Sequence, residues 1–416
     1  MRDQRPETTR SQPRNAVVIG GGYAGVMAAN RLTQGENVTV TLINPRPTFV
    51  ERIRLHQLVG GSHSATHDLR DVLAERVHLV VDTATRIDAA TRSIELAGGG
   101  SLAYDYLIYA VGSHSAASDV PGAEHTYPIG TLEEAQRLQA ALTELPDHAP
   151  VTVVGGGLTG IETAAELAES GRQVRLLTGG VLAATLHERG RRSAAQRLAA
   201  LGVELLDGVP SRVRAVEPDA VLLAAGRRLD SALTIWTAGF SVPALARDSG
   251  LSTDALGRLR TDESWVSLDD ERIVATGDAA APSDLPARMS CQAAVQVGPQ
   301  AAETVLALIA GKQPDRLSLA FVSQCVSLGR RDGLLQLTHL NDTARRTYLA
   351  GRPGAAIKEL ICSGIIWQLK LEARFPGRVT MRLTDPARRR RLAAAGASVP
   401  PVAGAPAARV TAEEAR

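Results

Sequence analysis

Apolar positions along this chain switch between two periods, and the switch occurs twice in the same order. Ala16-Val17-Val18-Ile19 is a short β-branched run that passes through Gly20-Gly21-Gly22-Tyr23-Ala24-Gly25 into the helical pattern of Val26 to Leu32. Val38 to Ile43 then alternates as a strand does. Val151-Thr152-Val153-Val154 repeats the design, passing through Gly155-Gly156-Gly157-Leu158-Thr159-Gly160 into the pattern of Ile161 to Leu167, with Val174 to Leu177 as the following strand. Between the repeats, Val77 to Val81, Ser93 to Leu96 and Tyr104 to Val111 read as strands. Gly98-Gly99-Gly100 suits a hairpin turn joining the latter two. A helix is expected over about 131–145. The second unit is expected to return at Ala220 to Gly226, which mirrors the run ending at Gly112. Arg272 to Ala280 and a helix over about 292–309 follow, then strands near Phe321 to Ser327 and Leu334 to Leu340.

The glycines carry the first chemistry. In G-x-G-x-x-G the first glycine makes the tight turn, the second lets backbone approach a pyrophosphate, and the third lets helix pack on strand. Gly20, Gly22 and Gly25 fit that spacing, as do Gly155, Gly157 and Gly160. The diphosphate would rest on free N–H groups at the helix N-terminus, where the helix dipole is positive. Two such units predict two dinucleotides and electron transfer between them. The expected fold is α/β, with two Rossmann-like dinucleotide-binding domains, the second inserted in the first, plus a smaller C-terminal α+β region. The divisions fall at 15–115 with 245–320, 116–244, and 321–392. Residues 1–14 read as a disordered leader and 393–416 as a disordered tail.

An acid is expected where the second strand of each unit meets the ribose. Asn44 and Thr178 stand there instead. Asn44 can still hydrogen-bond a ribose. Thr178 neither repels nor attracts a 2′-phosphate, so NADH and NADPH both remain open. Arg175, Arg189, Arg191 and Arg192 are candidate phosphate partners, although solvated helix and strand charge is the better reading of each taken singly.

Composition narrows the class. The chain has 416 residues, 44% hydrophobic and 22% charged, with a net charge of +2, which gives no electrostatic case for nucleic acid. Its three cysteines, Cys291, Cys325 and Cys362, are far apart and form no C-x-x-C, so no redox dithiol is implied. Cys291 reads as a small packing residue. The lack of a secretory signal points to the cytoplasm. His63 and His67 have no supporting carboxylate or cysteine constellation, and no metal is assigned.

These residues resemble the two-dinucleotide flavoproteins with the pyridine nucleotide–disulfide reductase fold. Four motifs agree in order: the two glycine turns, the strand ends Tyr109-Ala110-Val111-Gly112 and Leu223-Ala224-Ala225-Gly226, and Ala275-Thr276-Gly277-Asp278. The resemblance implies FAD on the first turn, with contacts from Gly20, Gly22, Tyr23, Ala24, Gly25, Asn44, Arg46, Arg54, Ala84, Ala110, Gly112, Gly277 and Asp278. It implies NAD(P)H on the second, with Gly155, Gly157, Leu158, Thr159, Gly160, Thr178, Ala225 and Gly226. Asp278 would bond the ribityl chain, and it also reads as a helix N-cap. The absence of C-x-x-C argues against disulfide reductases. The likeness is greatest to type II NADH dehydrogenases. There Glu162 matches an acid near the nicotinamide, Gln292 matches a glutamine near flavin and quinone, and Ser327 to Gly333 resembles the following β-region. The prolines and threonine that usually precede the glutamine are absent.

The implied activity is hydride transfer from nicotinamide to flavin, then two electrons to an acceptor, with quinone favoured. A flavoenzyme acting on a small biosynthetic substrate is the alternative. A slow-turnover signalling flavoprotein like apoptosis-inducing factor is a second. Arg52, Arg54 and His56 follow in the loop that lies along the flavin's other side, and they read equally as a contact to the FAD diphosphate or the acceptor and as solvated charge. Leu360, Ile361, Ile365, Ile366, Trp367 and Leu369 form a helical apolar stripe flanked by Lys358, Lys370, Arg374 and Arg378, with Arg388 to Arg391 beyond. Such a stripe suits peripheral membrane contact at the inner face, docking on its own domain, or a homodimer.

Overall fold

The computed structural model describes residues 13–380 and 383–394, so residues 1–12 and 395–416 of the expected leader and tail lie outside the described residues. Arg14, assigned to the leader, is instead the first residue of a strand, Arg14–Ile19. The short helix Arg388–Ala394 reaches into the expected tail.

Two parallel five-stranded sheets form the body. The first runs in the order Ile273–Ala275, Tyr106–Tyr109, Arg14–Ile19, Val38–Asn44, Val77–Val81. The second runs Thr126–Pro128, Leu233–Trp236, Val151–Val154, Val174–Leu177, Glu204–Leu206. The second sheet's strands therefore fall, in sequence, between the fourth and last strands of the first. Parallel strands buried on both faces read as continuous apolar runs. All four residues of Val151–Val154 are buried, as are Ala16 to Ile19.

Each sheet is interrupted at the same point by an antiparallel meander. In the first half it is Ala84–Asp88, Ser93–Leu96, Ser101–Ala103; in the second, Val213–Glu217, Ala220–Leu223, Arg228–Asp230. This repeat corrects two expectations. The hairpin partner of Ser93–Leu96 is Ser101–Ala103, while Tyr106–Tyr109 joins the parallel sheet beside Arg14–Ile19. The counterpart of Tyr106–Tyr109 is Leu233–Trp236, not Ala220–Leu223, which is the middle strand of the second meander. Periodicity cannot separate the two, because both are short apolar runs closed by a glycine.

The long helix Cys291–Ile309 packs along the first nucleotide helix, Tyr23–Leu32. Close approach is possible because a Cβ on Gly298 would lie only 2.4 Å from the Ala24 carbonyl oxygen. Beyond it comes a three-stranded antiparallel sheet, Ser323–Ser327, Gly333–Thr338 and Ala344–Gly351, whose third strand carries exposed arginines that hide it in the hydrophobic pattern. The helix Arg352–Arg374 follows, with proline in its first turn, where a missing N–H costs nothing. It divides the predicted stripe. Ile365 and Leu369 are buried, Leu360 is 71% and Trp367 63% exposed, and Lys358 faces inward. Buried Glu372 ties this helix to Arg31 of the first nucleotide helix. Among the described residues no helix is long and apolar enough to cross a membrane.

Candidate functional site

Both glycine turns open into one cavity of about 1290 Å³. Pockets for one drug-sized ligand run to roughly 1000 Å³, so this space suits more than one. The two turns share their geometry, although different atoms press on the first glycine of each. Gly20 has φ +106°, and a Cβ there would stand 2.3 Å from the Ala110 carbonyl oxygen. Gly155 has φ +130°, and its Cβ would stand 2.3 Å from Thr237 Oγ1. A Cβ on Gly25 or Gly160 would collide with the Gly20 or Gly155 carbonyl oxygen, at 1.8 and 2.0 Å. A Cβ on Gly22 or Gly157 meets nothing within 4 Å. These two positions cap the nucleotide helices, and neither helix has a side-chain cap. Their first N–H groups are therefore left for a ligand, which is the cradle a pyrophosphate needs. The residues present fit two dinucleotides.

The other expected FAD contacts are mostly brought to the same cavity. Tyr23, Ala24, Arg46, Ala84, Ala110, Gly112, Gly277 and Asp278 line it. Asn44 also lines it, but its amide braces the turn, with Oδ1 accepting from Gly21 N–H at 2.8 Å and Nδ2 donating to the Arg46 carbonyl at 2.7 Å. Asp278 accepts from Ser113 Oγ at 2.6 Å and stands 3.5 Å from Arg52 Nη1. It lies inside a single turn, Gly277–Ala279, rather than capping a helix. Arg54 is a correction. It does not line the cavity but is buried against Glu51, Gln57 and Glu359, because the turn Arg52–Arg54 sends its two arginines to opposite sides. Of the three residues singled out in this loop, Arg52 and His56 reach the cavity.

On the nicotinamide half, Gly157, Leu158, Thr159 and Thr178 line the cavity. Ala225 and Gly226 are a second correction, since they form the exposed turn between the last two strands of the meander. The strand end that abuts the turn is Trp236-Thr237. Arg175 pairs with Glu204 and Arg192 with Glu188, and neither they nor Arg189 and Arg191 line the cavity.

Glu162 and Gln292 both line the cavity. Glu162 sits at the centre of a buried cluster assembled from four elements. Its Oε1 accepts from Ser327 N–H and from Lys358 Nζ, each at 2.9 Å, and its Oε2 lies 3.7 Å from His56 Nδ1. Burial alone would raise the Glu162 carboxyl; Lys358, His56 and the Ser327 amide outweigh it and hold the group below the usual carboxylate range. Burial would lower Lys358, and Glu162 more than reverses that, so the ammonium stays charged. Burial pushes His56 down to about 4, leaving a neutral imidazole at physiological pH. Lys358, which reads in the sequence as a basic flank of the apolar stripe, is the site residue that sequence reasoning missed, since a lysine beside an apolar stripe carries the pattern of a surface charge.

The three cysteines also meet here. Cys291 opens the long helix, Cys325 lies on Ser323–Ser327, Cys362 lies on Arg352–Arg374, and all three line the cavity. Burial pushes the thiols of Cys291 and Cys362 up to about 11 and raises Cys325, so they line the wall as neutral, weakly polar groups. Nothing in their spacing announces this convergence. His67 bonds Glu51 at 2.8 Å, and among the described residues no group of three His, Cys, Asp or Glu stands close enough to hold a metal ion.

Comparison with known proteins matches residues 14–298 to the family described as pyridine nucleotide-disulphide oxidoreductase. An NADH dehydrogenase-like protein of Mycobacterium tuberculosis is 33% identical over 296 residues, covering 64% of this chain and 72% of that one. A type II NADH:quinone oxidoreductase of Haemophilus influenzae is 24% identical over 391 residues, covering 78% and 87%. The solved structure of NDH2 from Plasmodium falciparum in complex with NADH superposes with a TM-score of 0.72 at 15% identity, covering 88% and 97%, which is a likeness of fold.

Proposed function

As the chain belongs to the pyridine nucleotide-disulphide oxidoreductase family, close to its type II NADH dehydrogenases, we propose that it passes electrons from NADH to a quinone. It is an NAD(P)H-dependent flavoprotein oxidoreductase that takes FAD and NADH. The observation that carries the reading is the doubled cradle, two uncapped glycine turns facing one cavity. When bound, FAD supplies hydride acceptance and the onward release of two electrons. The chain's part is position and charge.

In this reading the division into 15–115 with 245–320, 116–244 and 321–392 separates the flavin, nicotinamide and acceptor portions. Gly20 to Gly25 hold the FAD diphosphate, and Gly155 to Gly160 that of the nicotinamide nucleotide. Glu162 orients the nicotinamide. Gln292 binds the acceptor from the first turn of its helix. The quinone is supported by the apolar wall at the C-terminal side, where Met289, Val322, Ile361 and Ile365 join the neutral thiols. Lys358 adds a buried positive charge that stabilises negative charge developing on the acceptor oxygen. The exposed side of Arg352–Arg374 is the surface that meets a membrane in this account.

A Gln292→Leu variant tests the acceptor assignment. The expected result is an unchanged rate of flavin bleaching by NADH with a KM for menadione raised about tenfold, the usual worth of one hydrogen bond to a bound ligand. An unchanged KM removes Gln292 from the acceptor site.

A further inference from the structure

No acid ends Val174–Leu177, but one stands a strand away. Glu204–Leu206 runs parallel beside Val174–Leu177, with Leu206 opposite Leu177, and the next residue is Asp207. Its Oδ1 lies 2.7 Å from Thr178 Oγ1 and accepts from Leu182 N–H at 3.0 Å. Both contacts use Oδ1. Gly208 N–H donates to the Gly180 carbonyl at 2.7 Å, so the two loops are stitched together around the carboxylate. Thr178 is pressed on the phosphate turn, since a Cβ on Gly156 would lie 2.8 Å from its own. Thr178 and Val181 line the cavity while Asp207 is exposed beside them, which puts the acid on the rim at the carboxyl ends of the strands. That rim is where a dinucleotide fold places the adenosine ribose.

We infer that Asp207 replaces the acid of the second strand and makes the protein choose NADH over NADPH. The inference rests on the reading of Gly155 to Gly160 as the anchor of the nicotinamide nucleotide. The free side of the carboxylate accepts from the ribose 2′-hydroxyl. A 2′-phosphate carries roughly −1.5 to −2 charge at neutral pH and meets repulsion there. The backbone of Arg212 lies against Gly179, with its Cα 3.6 Å from where a Gly179 Cβ would be. That exposed cation is the natural phosphate partner once the carboxylate is gone.

Asp207→Asn keeps the acceptor oxygen that bonds Thr178 and Leu182, so the loops stay joined. Steady-state kcat/KM for NADH and NADPH is measured on the FAD-loaded protein with menadione as acceptor. The wild type is expected to prefer NADH, and the variant to lose about 10- to 100-fold of that preference, the range for hydrogen bonds to a charged group, mostly through KM. Raising salt should narrow the wild-type preference by screening the repulsion and should weaken NADPH in the variant by screening Arg212, so the two ratios move in opposite directions. Asp207→Glu, which keeps the charge, should retain the NADH preference. A wild type that prefers NADPH, or a variant with an unchanged ratio while FAD content and NADH turnover persist, overturns the inference. If neither nucleotide bleaches the wild-type flavin, the parent reading fails first and takes this inference with it.

Discussion

A methyl group added at Gly22 points into open cavity, whereas one added at Gly25 runs into the Gly20 carbonyl oxygen. The same motif therefore contains two kinds of glycine, and substitution separates them. Gly22→Val should fold with near-native stability and purify without FAD, as judged by absorbance of the isolated protein. Gly25→Ala should lose about 1–3 kcal/mol of stability through forced overlap, read by denaturant unfolding. A Gly22→Val protein with a full complement of FAD would contradict the placement of the diphosphate. Lys358 and Glu162 form the other residue-scale test. Removing one partner of a buried ion pair typically costs about 3–5 kcal/mol, because the remaining charge is left unpaired. Lys358→Met should be strongly destabilised, and Lys358→Met with Glu162→Gln should recover much of that loss in thermal unfolding. Recovery in stability without recovery in turnover is expected, since both the charge over the acceptor and the carboxylate that orients the nicotinamide are missing.

Among the elements, the contact between Leu55–Val59, Leu158–Glu169 and Arg352–Arg374 depends on ionisation. His56, faced by Glu162, Lys358, Arg330 and Arg54, titrates near 4 in the folded chain, against about 6.5 when unfolded. The unfolded chain thus takes up the proton first. The stability owed to neutral His56 is complete above about pH 6.5 and is lost as the pH falls towards 4. Glu162 and Glu359, both held below the usual carboxylate range, add a further loss at lower pH. Melting temperature should therefore drop between pH 6.5 and 4.5, and His56→Gln should flatten that slope. An equal slope in the variant would assign the loss elsewhere. The glycine turns, the helix capped at Thr131 and the strands that carry the motifs were legible in the sequence, because local chemistry demands those residues. What escaped was set by tertiary contact. Ala220–Leu223 and Leu233–Trp236 have similar apolar content, and only pairing decides which enters the parallel sheet. Lys358 and the cysteines come from separate elements and meet only when the C-terminal helix docks.

On the scale of the whole molecule, the architecture is one plan used twice, a parallel sheet broken by a meander, with the second copy set within the first. The duplication explains why both turns face the same cavity, and the C-terminal sheet and helix close its remaining side. That helix buries Ile365 and Leu369 while leaving Trp367 exposed. Membrane contact through this face predicts co-sedimentation with anionic vesicles that Trp367→Glu reduces, with flavin bleaching unchanged. Equal sedimentation of the two proteins would remove Trp367 from any lipid contact. The most direct test of the central claim is an anaerobic titration of the purified, FAD-supplied protein with NADH, followed by menadione. The account predicts a yellow protein whose absorbance is lost on addition of NADH and restored by the quinone. A polypeptide that stays colourless after FAD is supplied, or a bound flavin that NADH leaves oxidised, would contradict it.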